Sequence, residues 1–501
     1  MGGRLRNPAP TDDRLRTSES IQGNILAPFN KPVQLFVFLN FRHDRDGARG
    51  WLGELARDGR VATTQAVVQH GQERREARTT GDQPPTRTWA AVGLTASGLV
   101  TLHPEVAADL YAYQAFWYGA PADRADALGG RMASAALLGD QGGSDPRDWV
   151  VGGVDQPPVD ALLTIAGDDE RELADRAAEE LGRARPRLEV LEVRQLDGRT
   201  TPWQRGQTLP KNFGGSEHFG FKDGVSQPGV SGFTAATFRN GRWEAEEQAG
   251  TPIIAAGEFV LGYEGERGAY PGAGRPYPPA WMWDGSFQVF LRMTQDVAGW
   301  QRQMADLTAQ TSQDVAAKAV GRQRDGTPLA QLAGGSGLND FTYGDDPGGA
   351  RTPWFAHIRK MNPRDNLDFL DRARRVLRRG IPFGPPLAEG AEDDGEERGL
   401  LFNGFMASIE DQFEFVQWHW ASNPRPYPAR PGPGWPGPST ADGPDALTAA
   451  GDGRWLLRQE HGEPVELRFE RFVRTTGAVY AFAPSLPALG RLAGGEPLRD
   501  A

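Results

Sequence analysis

The sequence predicts an α+β protein made of two halves, each combining an antiparallel sheet with helices. Three observations support this class. Segments with alternating apolar residues are followed by segments with apolar residues at helical spacing. This order of strands and helices occurs twice along the chain. The 64 glycines and 39 prolines among 501 residues also require long loops between the elements.

The first half contains two strand–helix–strand units. Its first strand has apolar residues on both faces, which indicates a buried strand. Its second helix has acidic residues in the first turn, where the helix dipole favours negative charge, and an apolar stripe of Leu173, Ala177 and Leu181. The predicted elements are a strand at 33–41, a helix at 51–57, strands at 88–94 and 159–165, a helix at 168–181 and a strand at 188–196.

The second half repeats this order without obvious sequence identity to the first. Its elements are separated by a long excursion over residues 308–398. Both halves therefore follow the ferredoxin-like order β-α-β-β-α-β. The predicted elements are strands at 258–263 and 287–293, a helix at 297–307, a strand at 400–407, a helix at 409–420 and a closing strand at 474–482.

The domain boundaries follow from this division. An acidic stretch at 389–398 and a proline-rich stretch at 424–444 are expected to be surface loops. The last residues show little periodicity, which indicates disorder. We expect a flexible segment at 1–20, a first domain at 21–215, a second domain at 216–486 and a C-terminal tail at 487–501.

Composition excludes several classes of protein. The net charge of −11 argues against binding to nucleic acid or to anionic lipid. The absence of cysteine excludes disulfides, zinc–thiolate sites, iron–sulfur clusters and cysteine nucleophiles. No apolar run predicts a membrane-spanning helix, and the polar first 20 residues do not resemble a secretory signal. We therefore expect a cytoplasmic protein.

The motifs of common hydrolases and nucleotide enzymes are absent from the sequence. It contains no HExxH, no GxSxG, no P-loop and no dinucleotide-binding fingerprint. A segment at 217–229 is instead dense in polar residues beside aromatic ones, and glycines place its Asp223 on a tight turn. An Asp-Gly pair of this kind most often only caps the turn.

A second polar segment, at 356–364, contains His357, Arg359 and Arg364, and Arg378 follows a predicted helix at 367–377. A lone histidine is more often a structural residue than a ligand. The two nearer arginines are compatible with surface charge. Arg378 is compatible with a cation at the C-terminus of that helix. From the residues alone, these alternatives remain open.

Together, these segments resemble the dye-decolourising peroxidases, a haem family. The resemblance extends from about residue 21 to residue 486, and the length is similar to that of the larger members. The motifs occur in the family's order: IQGNIL at 21–26, GLTASGL at 93–99, GFKDG at 220–224, DGSF at 284–287, GR and GTPL within 321–329, and AHIR followed by NPR at 356–364.

The resemblance implies two ferredoxin-like halves with one haem b per chain between them, held mostly by the second half. His357 would be the iron ligand through Nε2. Its Nδ1–H needs an acceptor, for which Glu410 is the first candidate and Asp411 the second; both are equally compatible with charges at a helix N-terminus. Two arginines could pair with the haem propionates, and of these Arg364 matches the family pattern better than Arg359.

The resemblance also implies a peroxidase that reduces hydrogen peroxide to water, through a high-valent iron intermediate, while it oxidises dyes, phenols or similar donors. Asp223 would move the peroxide proton, and Arg378 would stabilise charge during O–O cleavage. A homo-oligomer is compatible with this interpretation. The alternatives are a haem carrier or sensor, an enzyme that releases iron from haem or decarboxylates porphyrins, and a haem-free structural protein.

Two further expectations concern pH and electron transfer. A carboxylate base stays ionised in mild acid, where an imidazole would be protonated, so we expect an optimum below about pH 6. His218 is close in sequence and could disturb this simple dependence. Trp418, Trp420 and Trp435 could relay electrons from bulky donors, although core packing is the simpler interpretation of the first two.

Overall fold

The computed structural model describes most of the chain. The described residues are 14–120, 138–195, 198–213, 215–234, 236–239, 242–245, 251–268, 275–331, 338–364, 372–425, 442–448, 453–459 and 461–498.

The first half forms an antiparallel sheet in the order β4-β1-β3-β2, which is the ferredoxin-like order. Its central strand β1 is buried along its whole length. The strands are β1 (Val33–Asn40), β2 (Trp89–Leu94), β3 (Ala161–Gly167), β4 (Glu189–Leu191), β5 (Val193–Arg194), β6 (Thr200–Thr201) and β7 (Gln204–Gln207). The helices are α1 (Arg45–Arg57), α2 (Thr64–Thr80), α3 (Ala96–Leu102), α4 (Ala107–Leu110), α5 (Gln114–Tyr118) and α6 (Glu170–Ala184).

The second half repeats this order as β18-β12-β15-β13. The strands are β8 (Gly229–Val230), β9 (Ala236–Arg239), β10 (Arg242–Ala245), β11 (Ile253–Ile254), β12 (Ser286–Gln295), β13 (Leu377–Arg378), β14 (Ile381–Phe383), β15 (Gly399–Met406), β16 (Trp455–Leu457), β17 (Val465–Leu467) and β18 (Val473–Ala483). The helices are α7 (Val297–Thr311), α8 (Val315–Val320), α9 (His357–Met361) and α10 (Leu486–Gly494), and two π-helical turns (Ile409–Glu414 and Val416–Ala421) follow β15.

The two sheets join edge to edge, because β18 pairs with β2 through Phe482 and Leu94. Together they form one ten-stranded sheet. The α+β class with two ferredoxin-like halves is therefore confirmed. Among the described residues, no helix has the length and apolar character that crossing a membrane requires.

Three local expectations are wrong or incomplete. Residues 258–263 form no strand but a run of turns after a 3₁₀ turn at Ala256–Glu258, although Phe259 and Val260 are fully buried. The expected disordered tail begins instead with α10, which packs on α1 and buries Leu489 and Leu492. Within the segment expected to be flexible, Leu15 is buried, and residues 1–13 lie outside the described residues.

Candidate active site

His357 begins the short helix α9, and a buried carboxylate orients its imidazole. The Nδ1–H donates a hydrogen bond to Oδ2 of Asp445 over 2.8 Å. The other oxygen of Asp445, Oδ1, accepts from the backbone N–H groups of Leu447 and Thr448 at 2.8 and 3.0 Å. The side chain of Asp445 is fully buried. These bonds hold the carboxylate in place and fix the neutral tautomer in which Nε2 carries the lone pair.

The prediction that Glu410 or Asp411 orients His357 is therefore wrong. Glu410 accepts from the backbone N–H of Ala115 in α5, and Asp411 forms an ion pair with Arg275 at 3.3 Å. Both acids begin the π-helical segment, whose first turn packs on α5 rather than on α9.

The true partner has only a weak signature in the sequence. Asp445 follows Gly443-Pro444, and it accepts the N–H groups of the residues two and three positions later, as an aspartate does in an Asx turn. It lies 88 residues from His357 along the chain, and only the fold brings the two side chains together.

The attraction between His357 and Asp445 outweighs the cost of burying their charges. Burial lowers the pKa of His357, but the charge and hydrogen bond of Asp445 raise it by more than burial lowers it. The net pKa is therefore raised. Burial raises the pKa of Asp445, but the imidazole and the two backbone N–H groups lower it, and the net pKa is lowered. Nε2 of His357 is consequently more basic than that of a free imidazole.

Asp223 and Arg378 form the second part of the site. Oδ1 of Asp223 lies 3.9 Å from Nη1 of Arg378, and the two side chains are 41% and 38% exposed. Asp223 lies between Gly220 (φ +88°) and Gly224 (φ +70°), so the GFKDG turn requires glycine at these two positions. The charges of Asp223 and Arg378 shift the pKa of His357 in opposite directions, so both act electrostatically on the imidazole.

Arg378 lies on strand β13 and not at a helix end, so its interpretation as a helix-terminal cation is wrong. Residues 367–371 of the predicted helix lie outside the described residues, and of the rest only 372 and 373 are helical. The side-chain amide of Gln227 accepts from the backbone N–H of Arg378 at 3.2 Å and donates to its carbonyl at 3.0 Å. Nη2 of Arg378 donates to the carbonyl of Ser226 at 2.7 Å. The loop that carries Asp223 thus also holds Arg378.

The side chain of Arg359 is buried and bonded to other residues of the protein. Its side chain is 2% exposed, and its guanidinium donates to the carbonyls of Thr352 and Asp346 at 2.7 and 3.0 Å. The group also lies over the rings of Trp354 and Tyr343, at 3.8 and 4.5 Å from their centroids. This geometry contradicts the expectation that Arg359 pairs with a propionate.

Arg364 belongs to a group of cations beside the site. Its guanidinium lies 3.9 Å from the ring centroid of Phe341 and donates to the carbonyl of Asn339 at 2.9 Å. Arg322, for which the sequence predicts no role, donates to the side chain of the same Asn339 at 3.0 Å. Burial and the charges of Arg364 and Arg378 together lower the pKa of Arg322 to about 10.

His218 does not face Asp223. Its Nε2 donates to the carbonyl of Phe383 at 2.8 Å, and burial lowers its pKa to about 4. Among the candidate tryptophans, Trp418 is 45% exposed and Trp420 is buried. Trp435 lies outside the described residues.

The donor set fits a haem group. Nδ1 of His357 is engaged with Asp445, and Nε2 is free of hydrogen bonds to the described residues, as an axial ligand to iron requires. The carboxylate–histidine pair is the arrangement that raises the basicity of a metal ligand. Asp223 and Arg378 place a carboxylate oxygen and a guanidinium nitrogen 3.9 Å apart.

Comparison with known proteins agrees with this geometry. The family model described as Dyp-type peroxidase, C-terminal, matches residues 276–425. The multifunctional dye peroxidase DyP2 of an Amycolatopsis species is 28% identical over 501 residues, which cover 95% of each chain. The chain is similar to the Dyp-type peroxidases along almost its whole length. The family that the ordered motifs predicted is thus confirmed.

Further members of the Dyp-type peroxidases show the extent of the similarity. The dye-decolorizing peroxidase msp1 of Mycetinis scorodonius is 30% identical over 331 residues, or 59% of this chain. With the first fungal relatives, the chain aligns over 44–60% of their length. The structure of an ancestral D-type dye decolorizing peroxidase gives a TM-score of 0.72 at 25% identity and covers 95% of this chain and 98% of that one.

Proposed function

We propose that this protein is a haem peroxidase that reduces hydrogen peroxide and oxidises dyes, phenols or similar donors. The proposal is supported by His357, oriented by the buried Asp445, together with the pair Asp223 and Arg378, whose charges both act on the imidazole. A haem carrier needs only the ligand and the contacts to the propionates. An acid–base group opposite a cation is what peroxide chemistry requires in addition.

In this proposal, His357 holds one haem b per chain through Nε2, and Asp445 keeps the imidazole in the tautomer that binds. The haem supplies the two electrons that reduce the peroxide and is restored by the organic donor. Arg364 remains the candidate for a propionate, because it lies with Arg322 in a positively charged region beside the site.

In this proposal, Asp223 transfers a proton between the two oxygens of hydrogen peroxide. Its carboxylate would accept a proton from one oxygen of hydrogen peroxide and deliver it to the other oxygen, which would leave as water. Arg378 places a fixed positive charge next to Asp223 and stabilises negative charge that develops on the departing oxygen. The hydrogen bond from Arg378 to the carbonyl of Ser226 holds the guanidinium in this position.

Haemin reconstitution of the full chain tests the proposal. The wild type, His357→Ala and Asp223→Asn are titrated with haemin and then mixed with hydrogen peroxide, with 2,6-dimethoxyphenol as donor. That phenol is bound in the structure of a dye-decolorizing peroxidase with this fold. We expect a Soret band that is lost in His357→Ala. In Asp223→Asn, we expect the band to remain and kcat/KM for peroxide to fall by about 10²- to 10⁴-fold.

The outcomes separate the alternatives. A Soret band without a response to peroxide in the wild type would indicate a carrier or sensor. The absence of any Soret band would contradict the haem assignment. Release of iron or of carbon dioxide instead of donor oxidation would indicate one of the haem-modifying reactions.

The pH profile is a second check on Asp223. Because a carboxylate stays ionised in mild acid, we expect donor oxidation to be fastest below about pH 6. His218 will not add a transition between pH 5 and 8, because its lowered pKa of about 4 keeps the imidazole neutral there. His218→Gln should therefore leave the profile unchanged. A profile that peaks above neutrality would contradict the role of Asp223.

A further inference from the structure

Glu217 folds the loop that leads to Asp223. One carboxylate oxygen, Oε2, accepts from the backbone N–H of Phe219 at 2.9 Å, and the other, Oε1, accepts from the N–H of Phe221 at 3.1 Å. The backbone closes the same loop, since the N–H of Glu217 donates to the carbonyl of Phe221 and the N–H of Gly220 donates to the carbonyl of Glu217, both at 2.9 Å. The side chain of Glu217 thus accepts from two backbone N–H groups, those of Phe219 and Phe221, for which the backbone of this five-residue turn provides no acceptor.

A hydrogen bond and an aromatic contact attach the folded loop to the second half. Nε2 of Gln295, the last residue of β12, donates to Oε2 of Glu217 at 2.8 Å. The ring of Phe219 stacks on Trp300 of α7, with 4.5 Å between the centroids. The carboxylate therefore connects the loop to a strand in the middle of the sheet.

The fixed loop ends at the acid–base group. Lys222 follows Phe221, and its N–H donates to the carbonyl of Arg324 at 3.2 Å. Asp223 is the next residue and faces Arg378. The backbone that Glu217 holds is therefore the backbone from which Asp223 extends.

We propose that Glu217 is a positioning residue for the peroxidase reaction, because its carboxylate sets the backbone from which Asp223 reaches the peroxide. This inference rests on the proposed function. Removing one acceptor oxygen should free part of the loop and enlarge the range of positions that Asp223 samples. A displacement of about 1 Å at a reacting group can cost about 100-fold in rate.

The first test is Glu217→Gln in the haem-loaded protein. The amide keeps the size of the side chain but replaces one acceptor by a donor. We expect kcat/KM for hydrogen peroxide to fall by about 10- to 100-fold, while KM for the phenolic donor stays unchanged. Hydrogen–deuterium exchange of the amides at 219 and 221 should become about tenfold faster.

A double-mutant cycle shows whether Glu217 acts through Asp223. In an Asp223→Asn background, Glu217→Gln should cause almost no further loss, because the group that it positions is already disabled. An equal loss in both backgrounds would overturn the proposal, as would unchanged peroxide kinetics. If the wild type itself does not react with peroxide, the proposed function fails rather than this inference.

Two further variants complete the design. Glu389→Gln is the matched control, because this carboxylate is 80% exposed and pairs with Arg324 at 3.3 Å without touching the loop backbone. It should leave the kinetics and the exchange rates unchanged. If Glu217→Gln does not fold, Gln295→Met removes only the donor to Glu217, and we expect a smaller loss that again disappears in the Asp223→Asn background. A loss that persists there would contradict the proposal.

Discussion

We expect the replacement of a single atom in the hydrogen bond between His357 and Asp445 to have a large effect on the site. A carboxylate acceptor transfers negative charge to the imidazole, and this favours the more oxidised state of a bound metal. We expect Asp445→Asn to retain haem but to raise its reduction potential, and to lower kcat/KM for peroxide by about 10- to 100-fold. Spectroelectrochemical titration of the haem-loaded variant measures the potential.

Glu410→Gln is the control for this prediction. Glu410 lies in the π-helical segment after β15, and it binds the backbone N–H of Ala115 and not His357. Its replacement should leave the potential where it is in the wild type. A shift in Glu410→Gln without a shift in Asp445→Asn would reverse the assignment made here.

These residues also show what a sequence can predict about a site. His357, Asp223 and Arg378 each belong to a short motif, and the resemblance of these motifs to the family predicts that the three side chains share a site. The acceptor for His357 was not predictable in this way, because Asp445 comes from a distant segment. Glu410 was the candidate because it begins the predicted helix after the strand at 400–407, and the packing of that segment on α5 directs it elsewhere.

Among the elements, α8 and α9 make a contact that requires glycine. Gly321 ends α8 with φ +93°, and a Cβ atom there would lie 2.5 Å from Cγ1 of Ile358, the residue after His357. We expect Gly321→Ala to lower the free energy of unfolding by more than the ~1 kcal/mol that the positive φ alone costs. Because the added methyl group pushes on α9, haem should also dissociate faster. Chemical denaturation and haem transfer to apomyoglobin measure the two effects.

Gly59→Ala separates the two causes. Gly59 also has a positive φ, of +59°, but no atom lies within 4 Å of the position that its Cβ would take. The control should lose only about 1 kcal/mol and release haem at the wild-type rate. If the two variants behave alike, the contact with Ile358 has no influence on the site.

The elements differ in how well their patterns predict them. Strands β1, β12 and β18 are long and buried, and their apolar runs predicted them within two residues. Residues 258–263 have the same apolar character but lie in turns, since burial alone does not require a strand. In α10, three leucines repeat every third residue, but the helix is only nine residues long, and its packing on α1 stabilises it.

In the whole molecule, the two halves share one core. Phe287 of β12 contacts Tyr113 and Phe116 of the first half, with 4.9 and 5.0 Å between the ring centroids, and it contacts Phe482 of β18 at 5.6 Å. The sequence predicted two halves, and its patterns give the long strands β1, β12, β15 and β18 but miss β13 and place a strand wrongly at 258–263. They contain no information on which aromatic residues meet across the junction, because those contacts depend on how the two sheets are placed.

This shared core predicts that the halves unfold together. Phe116 is almost fully buried, and Phe116→Ala should lower the free energy of unfolding by about 3–5 kcal/mol. Although Phe116 belongs to the first half and His357 to the second, the urea midpoints measured by the Soret band and by far-UV circular dichroism should shift by the same amount. Tyr111→Ala, at a side chain that is 55% exposed, should change stability by less than about 0.5 kcal/mol. A Soret midpoint that stays in place while the circular dichroism midpoint falls would show instead that the second half, with its haem site, is stable on its own.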